Sequence, residues 1–294
     1  MRWSRRTRWV VIGAVALAAA LLLAIGGNSI GRYTGWTVPR LEPAALSAKL
    51  APWYRVTRPD GSGPFPTALL LSGCDGPKDN LDRWAAMLKG IGWASIVVDS
   101  HGPRGISDYE IWRLVCTGQL LMGSERAGDL LVAIDDARRM RFVDPDRIVL
   151  IGSSHGGWAI MDLLSLDPPE RLPTNLAALP PGAPADPLAG VAGAILLYPY
   201  CGQANRARHH PWTRPVPTLF VLAQDDMIAP SGLCVDIADR MAAAGQPVEV
   251  ARFDAVTHGF DQQDRSPLSP LEFDPEATAE AMAIAARFLG EKAR

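Results

Sequence analysis

A glycine-flanked serine is the feature of this sequence with the clearest chemical potential. Gly152-x-Ser154-x-Gly156 follows the apolar run RIVLIGS at 147–153 and precedes a helical pattern. A serine in a sharp strand-to-helix turn needs glycines around it, because a Cβ at those positions would clash with the neighbouring backbone. Ser153 has no glycine two residues before it or two residues after it. The pattern and its context therefore predict Ser154 as a nucleophile.

A serine hydroxyl is inert at neutral pH unless a base removes its proton. In hydrolases with a serine at such a turn, the partners follow in the order serine, acid, histidine. The chain has five histidines, and His258, in the segment THGF after the last predicted strand, has the place that this order requires. We therefore predict His258 as the general base.

The acid should lie in the loop that follows the predicted strand at 217–224. Asp225 and Asp226 are both in this loop. The spacing of Asp226 from Ala223 and from Pro230 favours Asp226, with Asp225 as the alternative. The role of this carboxylate would be to fix the imidazole tautomer and to stabilise the imidazolium.

An oxyanion hole needs two backbone N–H groups directed at the charge that develops on the substrate oxygen. The amide of His155, at the start of the helix after the nucleophile, is the first candidate. The second candidate is the amide of Cys74, in the loop SGCDG that follows the predicted strand at 67–73. We predict these two amides as the oxyanion hole.

Strands and helices alternate along the chain after the N-terminal segment. Short apolar runs between turn residues are typical of strands buried on both faces, and apolar residues three or four apart are typical of helices. The alternation predicts an α/β domain with a mostly parallel central sheet and helices on both faces. The predicted strands are 53–59, 67–73, 94–100, 147–153, 191–200, 217–224 and 248–253, and helices are predicted at 81–88, 124–140, 155–166, 231–244 and 276–289.

One proline-rich segment, at 167–190, interrupts this alternation. It leaves the predicted helix that carries the nucleophile, so it could border the site as a lid. A surface insertion with no role in the site is the alternative.

The N-terminus differs in composition from the rest of the chain. Four arginines lie within the first eight residues, and no charged residue occurs from Trp9 until Arg32. A helix of this length can cross a hydrocarbon core of about 30 Å, and the preceding arginines would stay in the cytoplasm. A cleaved signal peptide is the alternative to a retained anchor. The predicted organisation is a basic cytoplasmic segment at 1–8, a transmembrane signal-anchor at 9–27, a linker at 28–52 and a catalytic domain at 53–294 outside the cytoplasm.

Composition excludes some classes of partner. Hydrophobic residues make up 48% of the chain and charged residues 20%, which allows a sizeable core. The net charge is −2 and no long basic tract follows the N-terminus, so nucleic acid is not expected as a partner. The cysteines have no C-x-x-C spacing, and His209 and His210 are adjacent, so neither a metal nor a cofactor is predicted.

The four cysteines all follow the predicted membrane segment, where an even number makes disulfides plausible. Cys74 and Cys116 lie in loops expected at the carboxyl edge of the sheet, and so do Cys201 and Cys234. Loops at one edge can bring two Cα atoms within bonding range. We predict the pairs Cys74–Cys116 and Cys201–Cys234, with four buried free thiols as the alternative.

Several segments together resemble the dienelactone hydrolase family across about residues 53–290. The matching segments are LLLSGCDG, VVDSHGPRG, ERAGDLLVAI, GSSHGGW, YPYCG, the Asp226 loop with Pro230 and Cys234, and THGF. The resemblance implies an α/β-hydrolase fold and hydrolysis of an ester or lactone through an acyl-enzyme. Dienelactone hydrolases proper use a cysteine nucleophile, and the residues before their oxyanion residue are usually His-Gly. Ser154 and Ser72-Gly73 stand in those places here, which points to the broader exported branch of the family.

The same residues would also suit other functions. Arg104, in GPRG, could meet a substrate carboxylate or form a structural salt bridge. An envelope acyltransferase would use the same three residues, and so would a peptidase of the prolyl-oligopeptidase kind, although those enzymes usually carry a large propeller before the hydrolase domain. A non-catalytic binding protein on a decayed scaffold is a further alternative. The oligomeric state is not predicted.

Overall fold

A seven-stranded sheet organises the molecule in the computed structural model, which describes residues 4–181, 183–265 and 269–292. The strand order is β1-β3-β2-β4-β5-β6-β7. Only the short edge strand β1 is antiparallel to its neighbour, and the other pairs are parallel. The strands are β1 Arg55–Thr57, β2 Phe65–Leu71, β3 Ala94–Val97, β4 Val143–Ser153, β5 Val191–Leu197, β6 Thr218–Ala223 and β7 Val248–Phe253.

Helices cover both faces of this sheet, as the alternation predicts. One buried cluster joins Leu130 and Ile160 to one face, and the other joins Trp84 and Phe288 to the opposite face. The helices are α1 Arg5–Thr34, α2 Pro43–Leu50, α3 Asp79–Gly90, α4 Asp108–Glu110, α5 Gly123–Arg138, α6 His155–Leu166, α7 Gly232–Ala243 and α8 Pro275–Lys292; a π-helical turn, Ile111–Val115, follows α4. The predicted α/β architecture is confirmed.

Two predicted strands end earlier than expected, and local chemistry explains each case. β3 stops at Val97 because the Oδ1 atom of Asp99 accepts hydrogen bonds from the backbone N–H groups of His101 and Gly102, which turns the chain. β5 stops at Leu197 because Tyr198 has a φ of 36°. Both turns lie at the carboxyl edge of the sheet, where they shape the site.

The segment before the catalytic domain is more ordered than the predicted linker at 28–52. Residues 28–34 continue α1, and α2 buries Leu46 and Leu50 completely in the core. The Oγ atom of Ser47 also donates to the Asp136 carboxylate of α5 at 2.7 Å. The linker prediction does not hold here, because two leucines four residues apart form an apolar stripe too short to stand out in the sequence.

The N-terminal helix α1 is apolar and largely exposed. It spans 30 residues, or about 45 Å at the helical rise, and an 18-residue window within it has a mean hydropathy of 2.6. Its side chains in this window are not buried by the rest of the chain. Such a helix near the N-terminus could be a membrane anchor or a signal sequence.

The last turns of α1 contact the catalytic domain directly. The Nδ2 atom of Asn28 donates to the carbonyl of Gln119 at 2.9 Å, and Arg32 forms an ion pair with Glu125 of α5 at 2.9 Å. Both charged side chains of this pair are mostly buried. The apolar helix and the domain are therefore joined by specific polar contacts beyond chain connectivity.

Both predicted disulfides are present. Cys74 is bonded to Cys116, and Cys201 is bonded to Cys234, with Cα–Cα distances of 5.1 and 5.3 Å. The first bond ties the loop after β2 to the segment after the π-helical turn. The second ties the loop after β5 to the start of α7. The pairing, together with an apolar N-terminal helix, is consistent with a location outside the cytoplasm.

The proline-rich segment at 167–190 packs beside α5, away from Ser154. Leu176 forms an isolated bridge with Leu41, and the Nδ2 atom of Asn175 donates to Asp129 at 3.0 Å. Among its described residues, none lines the cavity next to Ser154. Nothing in this placement supports the lid hypothesis.

Candidate active site

The turn between β4 and α6 places Ser154 at the carboxyl edge of the sheet. Ser154 has φ 50° and ψ −108°, a strained conformation for a residue with a Cβ. A Cβ on Gly152 would collide with the backbone of Gly156, and a Cβ on Gly156 would lie 2.5 Å from the carbonyl oxygen of Leu71. The two glycines are therefore sterically required, as the sequence pattern predicts.

Three predicted residues from separate loops meet in a continuous hydrogen-bonded chain. The Oγ atom of Ser154 lies 2.8 Å from the Nε2 atom of His258, and the His258 Nδ1 atom lies 2.6 Å from Asp226 Oδ2. With a neutral imidazole, Nδ1–H donates to the carboxylate, and Nε2 accepts from the serine hydroxyl. This is the geometry in which a histidine can take the proton of a nucleophilic serine.

The loop after β6 places two neighbouring aspartates in different surroundings. The second carboxylate oxygen of Asp226 accepts the backbone N–H groups of Ile228 and Ala229, at 2.9 and 2.7 Å. Asp226 is buried, whereas Asp225 is exposed and its backbone N–H donates to the carbonyl of Val256. The structure thus places the predicted residue, and not the alternative, against His258.

The two predicted oxyanion amides lie on the two segments that flank Ser154. His155 is the first residue of α6. Within this helix, hydrogen bonding begins at the backbone N–H of Trp158, which donates to the carbonyl of Ser154. The amides at the beginning of a helix point outward and attract negative charge. Cys74 lines the cavity beside Ser154. This placement is compatible with the predicted oxyanion hole.

Arg126 is a buried cation that sequence analysis did not single out. Its guanidinium donates to the carbonyl of Ser72 at 2.9 Å and lies 3.1 Å from the Nδ1 atom of His155. The carbonyl of Gly73 is 3.4 Å away. Burial lowers the pKa of Arg126 to about 10, so it remains charged at neutral pH. One side chain thus connects the loop of Cys74 with the first residue of α6.

His101 supports the same loop from its other side. Its Nε2 atom lies 3.0 Å from the carbonyl oxygen of Cys74. Burial, assisted by the nearby charge of Arg126, lowers the pKa of His101 to about 3. The imidazole is therefore neutral, and its Nε2–H donates to that carbonyl. The segment VVDSHGPRG contains this histidine, but the sequence alone does not reveal that its ring binds the carbonyl oxygen of Cys74.

A buried polar cluster holds the outer face of the His258 ring. Tyr198 lies edge-on to His258, with ring centroids 4.9 Å apart. The Tyr198 hydroxyl donates to Asp261 at 2.5 Å, and the indole N–H of Trp84 donates to the other Asp261 oxygen at 2.8 Å. Burial raises the pKa of Asp261. This cluster restricts the movement of the imidazole.

The cavity beside Ser154 is small and bounded by several loops. Its volume is about 40 Å³. The half-buried side chain of Asp75 lines it, and the Oδ2 atom of Asp75 accepts from the side-chain amide of Gln262 at 2.7 Å. Burial raises the pKa of Asp75. The other lining residues are Gly73, Cys74, Trp112, Ser153, Tyr198, Ile228, His258, Gly259, Gln262 and Leu271.

Arg104 does not lie in this cavity. Both terminal nitrogens of its guanidinium bind the carboxylate of Asp129 at 2.9 Å, and one also donates to the carbonyl of Ser100. Asp129 is fully buried, so this ion pair belongs to the interior of the domain. The structure thus places Arg104 in the salt bridge that was the alternative to substrate binding, and not beside Ser154.

The residues that the structure describes include no group of three or more histidine, cysteine, aspartate or glutamate side chains that could hold a metal ion. The prediction that neither a metal nor a cofactor takes part stays a prediction.

Comparison with known proteins connects this geometry to a family. The model of the dienelactone hydrolase family matches residues 181–293, a range that contains Asp226 and His258. The acylamino-acid-releasing enzyme of Arabidopsis thaliana is 24% identical over 206 residues, which is 62% of this chain and 26% of that protein. The chain thus spans about a quarter of the length of this curated relative.

Solved structures share the fold at low sequence identity. Esterase 2 of Thermogutta terrifontis is 17% identical in a form phosphonylated by cyclosarin and 18% identical with propionate bound, with TM-scores of 0.61 and 0.59. In both cases 81% of this chain and 88% of the other are covered. A protein of Klebsiella pneumoniae subsp. pneumoniae MGH 78578, provisionally described as a dienelactone hydrolase, is 14% identical, with a TM-score of 0.61 and coverage of 81% and 92%. The predicted α/β-hydrolase fold is therefore confirmed, and the family-model match over residues 181–293 agrees with the resemblance to the dienelactone hydrolase family.

Proposed function

We propose that this protein is a serine hydrolase that cleaves a carboxylic ester or lactone through an acyl-enzyme. The observation that carries the proposal is the hydrogen-bonded chain from Ser154 through His258 to Asp226. The match of residues 181–293 to the dienelactone hydrolase family model and the fold shared with esterases support an activity on esters. Serine as the nucleophile is inferred from the geometry of the turn and its base.

The arrangement assigns each proton of the reaction. As Ser154 Oγ attacks the ester carbonyl, its proton passes to His258 Nε2, and Asp226 stabilises the imidazolium. His258 then gives this proton to the leaving alcohol oxygen, and the carbonyl–oxygen bond of the ester breaks. Water next attacks the acyl-enzyme with the same histidine as base, which releases the acid and restores the serine hydroxyl.

The oxyanion formed in each step would accept hydrogen bonds from the amides of His155 and Cys74. Loss of one such donor typically costs about 10²–10³-fold in turnover. The cation of Arg126 lies behind both donors, in contact with the loop of Cys74 and with the His155 ring. Its charge would add positive potential where the negative charge develops.

The size of the cavity beside Ser154 favours a short acyl group. About 40 Å³ can hold only a few water molecules or a group of similar size. The propionate that is bound in Thermogutta terrifontis esterase 2 is an acyl fragment on this scale. We therefore expect acetyl and propionyl esters to be better substrates than long-chain esters.

A peptidase is the second candidate, and one observation favours it. The acylamino-acid-releasing enzyme of Arabidopsis thaliana aligns with 62% of this chain. An acylated amino acid has a small acyl group, which the cavity would also accept. An acyltransferase would use the same three residues, and it differs only in that an alcohol takes the place of water in the second step.

A panel of substrates tests the proposed function and separates these candidates. The full-length protein in detergent micelles would be given nitrophenyl esters of two to twelve carbons, a lactone, a thioester, an acetylated amino-acid anilide and an alcohol acceptor. We expect hydrolysis that is fastest for the shortest acyl chains. Release of the anilide but of no ester would favour the peptidase, and transfer to the alcohol in preference to water would favour the acyltransferase.

We further propose that α1 anchors the protein in a membrane, with the domain on the outer side. The arginines before the apolar part of α1, its apolar surface and the two disulfides support this topology. Removal of α1 as a signal peptide would leave the proposed chemistry unchanged.

A further inference from the structure

Two cavities meet at the side chains of Asp75 and Trp112. The inner cavity, of about 40 Å³, is the one beside Ser154. The outer cavity, of about 340 Å³, shares Asp75 and Trp112 with it and opens beyond them. An ester that reacts at Ser154 must place its acyl group and its alcohol on different sides of the attacked carbon. The unequal volumes therefore indicate a small acyl group inside and a larger alcohol outside.

The outer cavity is lined by charged side chains of both signs. Asp75 and Asp264 supply two carboxyl groups, and Lys78 and Arg265 supply two cations. The carboxylates would repel an anionic alcohol, and Lys78 and Arg265 would repel a cationic one. An apolar alcohol would remove water from these groups without replacing their hydrogen bonds, which is costly. The lining therefore favours a neutral and strongly hydrogen-bonding alcohol.

Hydroxyl groups satisfy this lining better than other neutral groups. A hydroxyl both donates and accepts, so it can bind a carboxylate as well as an ammonium or guanidinium group. The Asp75 carboxyl is half-buried and held in place by the side-chain amide of Gln262 at 2.7 Å. It therefore presents a fixed partner at the junction of the two cavities. The hydroxyl of Ser269 adds a further polar group to the outer wall.

Trp112 supplies the apolar surface that a ring-shaped alcohol needs. It lies in the π-helical turn Ile111–Val115, and 41% of its surface is exposed. The disulfide from Cys116 to Cys74 ties this turn to the loop beside Ser154. π-Helical turns are frequent at functional sites, and a rigid indole offers a large contact area.

We propose that the substrate is a short-chain ester of a neutral polyhydroxylated alcohol, such as a sugar ring. The alcohol occupies the outer cavity, with its ring against Trp112 and its hydroxyl groups on Asp75, Lys78 and Arg265. This inference rests on the proposed function, because the alcohol leaves from the acyl carbon that Ser154 attacks.

The first test compares acetate esters that differ only in the alcohol. The full-length protein would hydrolyse a mono-acetylated methyl glucoside, butyl acetate, acetylcholine and acetylglycolate. We expect kcat/KM for the glucoside ester to exceed that for each of the others by about tenfold or more, which corresponds to one or two additional hydrogen bonds. A preference for butyl acetate, acetylcholine or acetylglycolate would overturn the proposal.

The second test compares matched variants. Trp112→Leu and Lys78→Gln should each lower the ratio of kcat/KM for the glucoside ester to that for butyl acetate, mainly by raising KM for the glucoside ester. Trp36→Leu and Lys89→Gln alter the same residue types at exposed positions outside both cavities, and the ratio should stay as in the unaltered protein. An unchanged ratio in the first two variants would overturn the proposed alcohol site.

The acetate esters also distinguish a failure of the proposed hydrolase activity from a failure of the proposed alcohol. If no acetate ester is hydrolysed at all, the proposed function fails. If butyl acetate is hydrolysed and the glucoside ester has no advantage, the hydrolase remains and only the sugar-like alcohol is wrong.

Discussion

Asp225 and Asp226 are neighbours in one loop, yet only Asp226 touches His258. Asp226 is fixed by two backbone amides through one carboxylate oxygen and by the imidazole through the other. The preference for Asp226 came from loop spacing, and the structure places the residue accordingly. Arg104 shows the limit of such reasoning, because its sequence context does not reveal the buried carboxylate of Asp129 that binds it.

The aspartates can be distinguished by two isosteric variants. Asp226→Asn should lower kcat/KM by about 10⁴-fold, because an amide cannot hold His258 in the tautomer that accepts the serine proton. Asp225→Asn should remain within a few-fold of the unaltered enzyme. Steady-state kinetics on a short-chain nitrophenyl ester measures both. A larger loss in the Asp225 variant would show that the acid has been misassigned.

Arg126 offers a second test at the level of single residues. Arg126→Lys keeps the charge but cannot reach both Ser72 O and His155 Nδ1, so kcat should fall by about 10–10²-fold with little change in KM. Arg138→Lys is a control in the same helix, since Arg138 also donates to backbone carbonyls but far from Ser154. Equal losses of kcat in the two variants, or a loss confined to thermal stability, would contradict a positioning role for Arg126.

At the scale of elements, the sequence predicts the sheet better than the surfaces around it. β7 and α6 match their predicted ranges, because valines at alternate positions of VEVARF and a serine between glycines give strong local patterns. The ends of β3 and β5 depend on an Asp99 turn and on the positive φ of Tyr198, which the apolar pattern does not reveal. The contacts of Arg126 depend on loops that are distant in sequence. Such tertiary contacts are not encoded in any local pattern.

The two disulfides lie between elements and should have different consequences. They join residues 42 and 33 positions apart, so the chain-entropy model gives each about 4 kcal/mol of stabilisation. Replacing Cys74 and Cys116 by serine should lower thermal stability and also reduce kcat, because the loop that carries the proposed oxyanion amide of Cys74 is released. Replacing Cys201 and Cys234 should lower stability to a similar extent with a smaller effect on kcat. Melting curves and kinetics of the two double variants test this, and a larger kcat loss in the second would contradict it.

At the scale of the whole molecule, α1 and the catalytic domain form one unit. The ion pair of Arg32 with Glu125 is mostly buried, so α1 is fixed to the domain at its last turns. A truncation near residue 30 would also remove the contact of Asn28 with Gln119. Work on the isolated domain therefore alters a surface of the intact protein.

The proposed topology can be tested in cells. A reporter that is active only outside the cytoplasm, fused after Arg294, should be active, because the arginines before the apolar part of α1 should hold the N-terminus inside. The full-length protein should stay with membranes after a carbonate wash. An inactive reporter would contradict the topology. A soluble form that lacks about 25 residues would instead identify a cleaved signal peptide.

Every step of the proposed reaction depends on Ser154 as the nucleophile, and a fluorophosphonate probe tests this role. Such a probe reacts with a serine whose hydroxyl is activated by a base, which the 2.8 Å contact with His258 provides. We expect the unaltered protein and Ser153→Ala to be labelled, and Ser154→Ala to be unlabelled with a loss of turnover of about 10⁴-fold or more. Labelling that persists in Ser154→Ala, or that disappears in Ser153→Ala alone, would contradict the account.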